Sequence, residues 1–570
     1  MKKIVSLLLV SAVLISCLTL LAGCGAPKDN GASIDIYLGN EVCDFDPSDY
    51  YADSTAEQVM ALLYEPLFTI NKKGKLKLAA ASGYEVYEDE RKIVIDIRET
   101  YWSDDVRVKA DDFVYAWCER ILDPNNPNPA AALFYDIENA MEVKMGVGTI
   151  FDIGVKATGV YELTIKYREG ADYNRLLKNL ASVAAAPLRQ DIVDSAPTYW
   201  SKMINSLVTS GPFKVRTYNS TTKEFTLTRN LGYHQAPTEE NFMKYVTPGM
   251  LENVFTAMGE EISVSYADIE SKTTFFMCDA SLSDRANHKK EAEFADDTST
   301  YTYVYNLNNP LFAIKEVRQA LNMAIDRDAI AAAITFGKAA DGFLPDICGG
   351  SSEKLISTSS KLDEARELLS GVNFSGLSKS FTICYSDNEM EAKIAELVAQ
   401  SWGELGFNVS LKPVSTVENK IGDYEFIDSG IQTLVKEASY GKRNFDVLGI
   451  DWQLYTNDAF VGLASLTSDI NGCGVDFVSG DTKRGNIAGY SSTEYDSLLS
   501  AARTLSGEAR AKKLNEAEKM LIDDAAVCPI VFNRSFAFIS SQLRDVEVDG
   551  LGNFVLTEAD LKHYERYLEQ

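Results

Sequence analysis

The residues with the clearest potential for chemistry lie in one short segment, residues 451–458, which reads DWQLYTND. Aromatic rings offer flat apolar surfaces, amides donate and accept hydrogen bonds, and carboxylates pair with cations. This combination is suited to binding a small ligand that carries a positive charge. Spacing alone equally permits core aromatics beside solvated acids. The candidate ligand-binding residues here are Ile450, Asp451, Trp452, Gln453, Tyr455 and Asp458.

The element that must position this segment is a strand. Residues 445–450 read FDVLGI, a largely apolar run typical of a buried strand, and the candidate segment follows it directly. In open α/β sheets, ligands bind beyond the carboxyl ends of the strands. We therefore predict that residues 451–458 lie where a ligand binds.

The C-terminal half of the chain has the pattern of an α/β fold. Residues 381–385 predict a strand, and a helix follows with Ile394, Leu397 and Val398 facing inward and its end near Gly406. Asn408–Val414 predicts the next strand, which makes a βαβ unit and hence a parallel pair. A helix at 508–522 and a strand at 528–532 complete this half.

The N-terminal half predicts strands at 33–38, 92–98 and 224–228, with further strand alternation at Leu163 and Ile165. Between these strands, apolar residues recur with helical spacing. They are Val114, Trp117, Cys118 and Ile121. The combination predicts a small α+β lobe in this part of the chain.

Composition and charge exclude several classes of function. The 570 residues include 55 basic and 83 acidic side chains, for a net charge of −28, which disfavours binding to phosphate backbones. The histidines, His234, His288 and His563, are too few and scattered for a His-based metal or acid–base centre. There is no Gly-x-Ser-x-Gly or His-Glu-x-x-His motif. We expect no catalytic residues, no metal and no cofactor.

The first residues indicate export. Lys2 and Lys3 precede an apolar stretch that ends in LAGC at 21–24, which resembles a bacterial lipobox. The resemblance implies cleavage before Cys24 and lipidation of its thiol, so that 1–23 is a signal peptide and 24–32 a flexible tether. No later segment has the length of a membrane span. We expect a protein anchored by lipid to the outer face of the cell membrane.

Seven cysteines follow Cys24 as single residues without a Cys-x-x-Cys pair. This spacing carries no zinc-ribbon or thioredoxin signal and favours buried thiols that act as small apolar residues. These cysteines are Cys43, Cys118, Cys278, Cys348, Cys384, Cys473 and Cys528.

Seven motifs in order, from about residue 33 to 560, resemble those of the bacterial extracellular solute-binding proteins of family 5, the oligopeptide- and dipeptide-binding proteins of ABC importers. The motifs are DFDP (44–47), LYEPL (63–67), IRETYWSDD (97–105), KADDFVYAW (109–117), SGPF (210–213), VRQALNMAIDR (317–327) and GYSSTEYD (489–496). Each motif is short, but their order behind a lipobox makes the resemblance specific.

The resemblance implies a two-lobed, type II periplasmic-binding-protein-like α/β fold with a small α+β domain inserted in the N-terminal lobe. By this reading, lobe I comprises 33–65, 199–300 and 535–570, the inserted domain comprises 66–198, and lobe II comprises 301–534. The family also implies a monomer that closes around a peptide and docks on a permease driven by a cytoplasmic ATPase. It implies no enzyme activity.

The sequence departs from the family at the ligand. An aspartate that usually pairs with the α-amino group of the peptide is replaced by Tyr455, which is neutral at pH 7. Asp451, Asp458 or Asp53 are the acids that could replace it, and Trp452 is expected to stack on or wall the ligand. By the same matching, Ala130 stands where a cleft tyrosine is common. The other cleft strand contains Tyr51, Ala52 and Asp53.

Three classes of function stay open at this point. The first is a peptide receptor of an ABC importer. The second is a family-5 receptor for another solute, such as a glycan, an opine-like compound or a metal chelate, which the tyrosine at position 455 keeps open. The third, a remote one, is an exported lipoprotein hydrolase.

Overall fold

The computed structural model describes residues 32–39, 42–50, 54–219, 224–236, 246–251, 264–421, 424–474 and 485–567. The predicted signal peptide with Cys24, the tether before residue 32, and Tyr51, Ala52 and Asp53 lie outside these ranges. Within them, no helix is both long and apolar enough to cross a bilayer.

The strands run through the whole described chain. In chain order they are β1 Ala32–Tyr37, β2 Phe68–Ile70, β3 Leu76–Leu78, β4 Ala81–Tyr87, β5 Lys92–Ile97, β6 Val155–Gly159, β7 Glu162–Lys166, β8 Phe213–Asn219, β9 Glu224–Arg229, β10 Val246–Leu251, β11 Phe276–Met277, β12 Ala292–Tyr305, β13 Lys338–Ala339, β14 Ser380–Ser386, β15 Asn408–Val414, β16 Val417–Ile421, β17 Tyr424–Asp428, β18 Val447–Gln453, β19 Val527–Ile539, β20 Leu543–Arg544, β21 Glu547–Val548, β22 Phe554–Val555 and β23 Asp560–Leu561.

The α-helices alternate with these strands most regularly in the C-terminal half. They are α1 Ser54–Leu63, α2 Ala110–Val114, α3 Ala140–Lys144, α4 Tyr173–Asn179, α5 Gln190–Ser195, α6 Tyr266–Ser271, α7 Leu282–Asn287, α8 Lys315–Ala324, α9 Arg327–Ile334, α10 Leu362–Ser370, α11 Glu389–Gly403, α12 Gly430–Ser439, α13 Ala459–Ala464, α14 Thr493–Arg503 and α15 Gly507–Asp523.

One large mixed β-sheet is the central element of the described part of the chain. Its order is β15-β14-β18-β12-β19-β11-β1-β10-β9-β8, with β13 paired to β19. The predicted βαβ unit is present, because β14 and β15 pair in parallel and α11 connects them. The long strands β12 and β19 pair antiparallel in the middle of the sheet and join its two ends. This α/β architecture, in which β12 and β19 join the two ends of one sheet, confirms the predicted fold class.

The small antiparallel sheet β4-β5-β7-β6 forms where the sequence predicted an α+β lobe. Ile93 and Ile95 of β5 pair with Ile165 and Leu163 of β7, and all four are fully buried. The helix with the apolar face begins as α2 and continues with wider, π-type turns over Tyr115–Ile121.

The arginines of the VRQALNMAIDR motif anchor the packing of the C-terminal half. Arg327 is fully buried and its Nε donates to the carbonyl of Pro529 at 2.7 Å. Arg318 donates through Nε to the carbonyl of Ala525 at 3.0 Å. Both tie helices α8 and α9 to the start of β19. These arginines therefore stabilise the packing of the two helices, since the N–H donors of a buried guanidinium group need hydrogen-bond acceptors.

The described thiols away from the N-terminus pack as predicted for small apolar side chains. Cys118, Cys348, Cys384 and Cys528 are buried and carry free thiols, and Cys278 is a half-buried free thiol beside the cavity described below.

Candidate ligand-binding site

A cavity of about 560 Å³ lies where several strands of the main sheet end. The residues that follow β14 and β15, at 386–392 and 414–416, line one side. Tyr37 and Leu38 at the end of β1 line the other, together with the first turns of α1. The central strands β12, β18 and β19 contribute Asp297, Asp451 and residues 533–536. The cavity thus lies at the carboxyl ends of parallel strands, and its volume is in the range of ligand pockets, about 300–1,000 Å³.

Strand β18 extends further than the sequence indicated, and this changes which side chains face the cavity. We predicted a strand that ends at Ile450, whereas β18 continues to Gln453 through pairing with β12 from Ser299 to Tyr305. Side chains alternate across a strand, so Asp451 and Gln453 share one face and Trp452 takes the other. Asp451 is the one predicted candidate among the described residues that line the cavity.

Asp451 belongs to a cluster of carboxylates that comes from three elements. It accepts a hydrogen bond from Asn533 Nδ2, which also donates to Ser299 Oγ at 2.8 Å. Asp297 of β12 accepts from Ser535 Oγ at 3.2 Å, and Glu57 of α1 accepts from Asn553 Nδ2 at 3.3 Å. We call Glu57, Asp297 and Asp451 the acidic floor. Glu57 and Asp297 are distant from Asp451 in the chain and were not among the predicted site residues.

The surroundings of the acidic floor favour protonated carboxyl groups. Burial, followed by the charge of Asp451, raises the pKa of Asp297 to about 7. Burial and then the charge of Asp297 raise the pKa of Glu57 well above its usual range. The charged groups with the strongest effect on both residues are other carboxylates. Burial and like charges oppose ionisation here, and a cation that entered the site would favour the ionised form of these acids.

Glu391 is a further acid of the cavity and is influenced by Asp451. Its Oε2 accepts from the backbone N–H of Ser386 at 2.9 Å and from Tyr301 Oη at 3.1 Å. Burial raises its pKa to about 7, and the charge of Asp451 acts in the same direction. Glu391 also lines the cavity, at the start of helix α11.

The cations among the described cavity-lining residues are Arg285 and Arg534, and both are engaged with acids outside the floor. Arg285 pairs with Asp279 at 2.7 Å and lies over the ring of Phe536 at 5.0 Å. Arg534 lies 3.5 Å from Asp296.

Asp458 has a different role from the one expected of a ligand acid. Its carboxylate lies 2.8 Å from Arg510 and 3.7 Å from Arg175, and all three side chains are largely buried. It also caps helix α13 by accepting from the backbone N–H of Phe460 at 3.1 Å. Because two guanidinium groups already balance its charge, Asp458 is not positioned to bind a second cation.

The aromatic candidates pack into the interior and do not line the cavity. Trp452 lies edge-to-face against Phe343 with ring centroids 5.5 Å apart, so the structure does not place it as a ligand wall. Tyr455 adopts a positive φ of 63° and its hydroxyl donates to the carbonyl of Ser48 at 3.4 Å. Its ring meets Tyr50 edge-on at 5.0 Å. Position 455 is therefore buried and away from the cavity.

Ala130 and Ile450 are buried and do not line the cavity either. Ala130 is the second residue of a short helical turn, Pro129–Phe134, and its N–H donates to Asn128 Oδ1 at 2.9 Å. The predicted cleft strand with Tyr51, Ala52 and Asp53 lies outside the described residues. One signal for the floor was present in the sequence: the polar–aromatic–polar order of 451–453 is strand alternation and indicated that the strand continues.

The hairpin β16–β17 lies next to the cavity and contacts a distant part of the chain. Two residues that line the cavity, Thr416 and Ser429, directly precede and follow this hairpin in the chain. Its Phe426 packs against Tyr199 with ring centroids 5.5 Å apart, and Asp428 forms an ion pair with Lys202. The hairpin next to the cavity is thus joined to the segment that contains Tyr199 and Lys202.

Comparison with known proteins shows the family. Residues 75–472 match the family model for the bacterial extracellular solute-binding proteins, family 5 Middle, and the chain belongs to this family of peptide-binding and related solute-binding proteins. The chain is 27% identical over 489 residues to the periplasmic murein peptide-binding protein MppA of Escherichia coli, which covers 83% of this chain and 82% of that protein.

Two solved structures show the fold. The Haemophilus influenzae OppA complex with RPPGFSPFR aligns with a TM-score of 0.73 at 22% identity, over 93% of this chain and 99% of that one. The unliganded open form of E. coli MppA aligns with a TM-score of 0.54 at 22% identity, over 93% of this chain and 97% of that one.

Proposed function

We propose that this chain is the extracytoplasmic peptide receptor of an ABC importer, which closes around a peptide and delivers it unchanged to a membrane permease. One observation carries the proposal: a cavity lined from both ends of the sheet has an acidic floor that can pair with the cationic amino end of a peptide. The peptide-binding relatives support this ligand class. We propose no cofactor and no chemical step on the ligand.

Two lobes that close on the ligand account for the contacts around the cavity. We propose lobe I at 33–65, 199–300 and 535–570, an inserted domain at 66–198, and lobe II at 301–534. By this division, Lys202 with Asp428 and Arg175 with Asp458 join lobe II to the rest of the chain. An extended peptide would bind mainly through main-chain hydrogen bonds, with one end held by charge. A closed form with the peptide inside would be the state that the permease recognises.

A lipid on Cys24 would hold the protein at the outer face of the membrane, and the tether at 24–32 would let the folded part reach the permease. We expect metabolic labelling with a fatty acid to mark the full chain and not the Cys24→Ser variant. Uptake of a labelled tripeptide by cells should fall in that variant while the purified protein keeps its affinity. Equal labelling of both chains would contradict the anchor.

A second candidate ligand class is a non-peptide solute that carries a cation. The observation in its favour is Tyr455, which replaces the acid that usually pairs with the amino end of the peptide and is buried away from the cavity.

Native mass spectrometry of the full chain, released from detergent as purified, separates the two. A series of bound masses that fit peptides supports the peptide receptor, and a single non-peptide mass favours the second candidate. If the protein is empty, thermal shifts with defined peptides, sugars and chelates decide. Stabilisation by sugars or chelates and by no peptide would contradict the proposal.

A further inference from the structure

We infer that the hairpin β16–β17 is a clasp that slows the release of a bound ligand, and that its residues Phe426 and Asp428 do so without contacting the ligand. The clasp consists of these two residues and their partners in a distant segment, Tyr199 and Lys202. The inference rests on the proposed function and names positioning residues for the same cavity.

The main sheet consists of two halves that meet at an irregularity in its long strands. In one half, β18 pairs with β12 over Ser299–Tyr305, and in the other, β11 pairs with β19 at Phe538 and Ile539. Between these regions, β12 has three residues, 297–299, where β19 has only Asn533. Extra residues of this kind bend a strand, so the two halves can lie at an angle to each other.

The clasp joins the two halves. The hairpin directly follows β15, which is one edge of the sheet. Lys202 lies three residues before Asn205, whose Oδ1 accepts from the N–H of Tyr218 at 3.2 Å, and Tyr218 belongs to β8, the other edge. Ten strands in this order, about 4.8 Å apart, would separate the two edges by about 40 Å in a flat sheet. The contact between the hairpin and this segment therefore requires the two halves to fold toward each other.

The contacts of the clasp are specific but individually modest. Asp428 and Lys202 form an ion pair with side chains that are 25% and 17% exposed, and Asn419 Nδ2 donates to Asp428 at 2.6 Å. The Nζ of Lys202 also lies 5.4 Å from the ring centroid of Phe426. Partly exposed ion pairs and single aromatic contacts are weak enough to break and re-form, as exchange of a ligand requires.

The clasp is connected to the cavity through the base of the hairpin. Thr416 and Ser429, which flank the hairpin, line the cavity, whereas Phe426 and Asp428 are not among its lining residues. A ligand that fills the cavity thus lies next to both ends of the hairpin. Phe426 and Asp428 act on this ligand only by holding the two halves together.

This arrangement predicts a separation of the two rate constants of binding. A ligand enters while the halves are apart and the clasp is open, so the clasp contributes nothing to association. Release requires the clasp to break. Loss of the clasp should therefore speed dissociation and leave association almost unchanged, which is the usual pattern when contacts form only in the final complex.

Surface plasmon resonance with tri-alanine and the full chain in detergent measures both rate constants. We expect dissociation to be about 5-fold faster in Asp428→Asn and in Phe426→Ala, and about 20-fold faster when the two are combined. Association should stay within about 2-fold of wild type in all three variants.

Matched variants separate the clasp from a general effect of the hairpin. Glu418→Gln neutralises an exposed acid of the same hairpin, and Phe426→Tyr keeps the aromatic ring, so both should keep the wild-type dissociation rate. Lys202→Met should speed dissociation, and adding Asp428→Asn to it should cause little further change, because both substitutions break one ion pair. Without peptide, thermal unfolding of Asp428→Asn should match that of Glu418→Gln, since the clasp is then open.

Each outcome has a separate meaning. Unchanged dissociation in both Asp428→Asn and Phe426→Ala overturns the inference and leaves the peptide receptor intact. A slower association with unchanged dissociation also overturns it, because the hairpin would then act on entry. An equal loss of stability with and without peptide shows a purely structural role and overturns it as well. If tri-alanine does not bind the wild-type chain, the proposed function fails and the inference fails with it.

Discussion

Two groups of acids flank the end of strand β18 and differ in how their charge is balanced. Asp458 lies between Arg510 and Arg175, within hydrogen-bond distance of the first. Asp297 and Glu57 are equally buried, yet the charged groups that act most strongly on them are carboxylates. In the first group, arginines of the protein itself balance the charge of the acid. The acids of the second group are held toward the protonated form by burial and by one another, and this difference separates a structural anchor from a site that can respond to a cation.

The largest expected effect is on stability, when the ion pair between Asp458 and Arg510 is removed. Asp458→Asn keeps the helix cap but leaves the largely buried Arg510 without its carboxylate, while Arg175 keeps its ion pair with Asp136. We expect a loss of about 3 kcal/mol in the free energy of unfolding, measured by denaturant titration. Peptide affinity of the folded variant should stay within about 2-fold of wild type.

A loss of less than about 0.5 kcal/mol in Asp458→Asn would show that the pair behaves like an exposed one and would remove the contrast between the two groups. Asp363→Asn is the matched control, since its carboxylate pairs with Arg366 at the surface.

The second prediction concerns a substitution that is expected to stabilise the protein instead of destabilising it. The folded-state pKa of Asp297 is about 7 and the ordinary value is 3.8, so the folded protein retains a proton that the unfolded chain releases. Between these values, stability without ligand falls as pH rises. Asp297→Asn removes this cost. We expect its advantage over wild type to grow by about 2 kcal/mol from pH 5 to pH 8, measured by urea unfolding at each pH.

Parallel pH profiles for wild type and Asp297→Asn would contradict the second prediction. The titratable groups that interact with Asp297 include Asp451, Glu57 and the buried thiol of Cys348, and Glu57→Gln should show a shift in the same direction.

The smallest expected effect is at position 455. Tyr455→Phe removes one long hydrogen bond to Ser48 and keeps the ring contact with Tyr50. We expect a loss of about 0.5 kcal/mol in stability and no change in peptide affinity, measured by thermal unfolding and calorimetry. A fall in affinity of about 10-fold would show that the hydroxyl reaches the ligand and that the cavity extends toward Asp458.

Much of the fold could be predicted because local patterns define it. The alternation of Ile93, Ile95 and Ile97 gave β5, and the apolar spacing before Gly406 gave α11 between two parallel strands. The two-lobed class followed from motifs spread along the chain, and the family comparison confirms it.

The candidate site was less accessible from the sequence, for a physical reason. Glu57 lies in the first turn of α1, where an acid is expected to favour the helix dipole, and Asp297 lies in a strand with several polar neighbours. Nothing local distinguishes either from a solvated acid. Only the pairing of β12 with β18 and the packing of α1 bring them to Asp451.

Trp452 shows how an uncertain strand end limits the prediction of site residues. The type of residue indicated a ligand wall, but the face on which it lies depends on where the strand ends, and boundaries are the least certain part of a sequence-based assignment. Extending β18 to Gln453 moves the indole to the side of Phe343 and brings Asp451 to the cavity.

A crystal structure of the full chain with tri-alanine tests the central claim most directly. We expect the α-nitrogen of the peptide to lie about 2.7–2.9 Å from a carboxylate oxygen of Asp451, Asp297 or Glu57, with Asp458 still bound to Arg510. An amino end that lies at Tyr455 or Asp458, with no peptide nitrogen near Asp451, Asp297 or Glu57, would contradict the account.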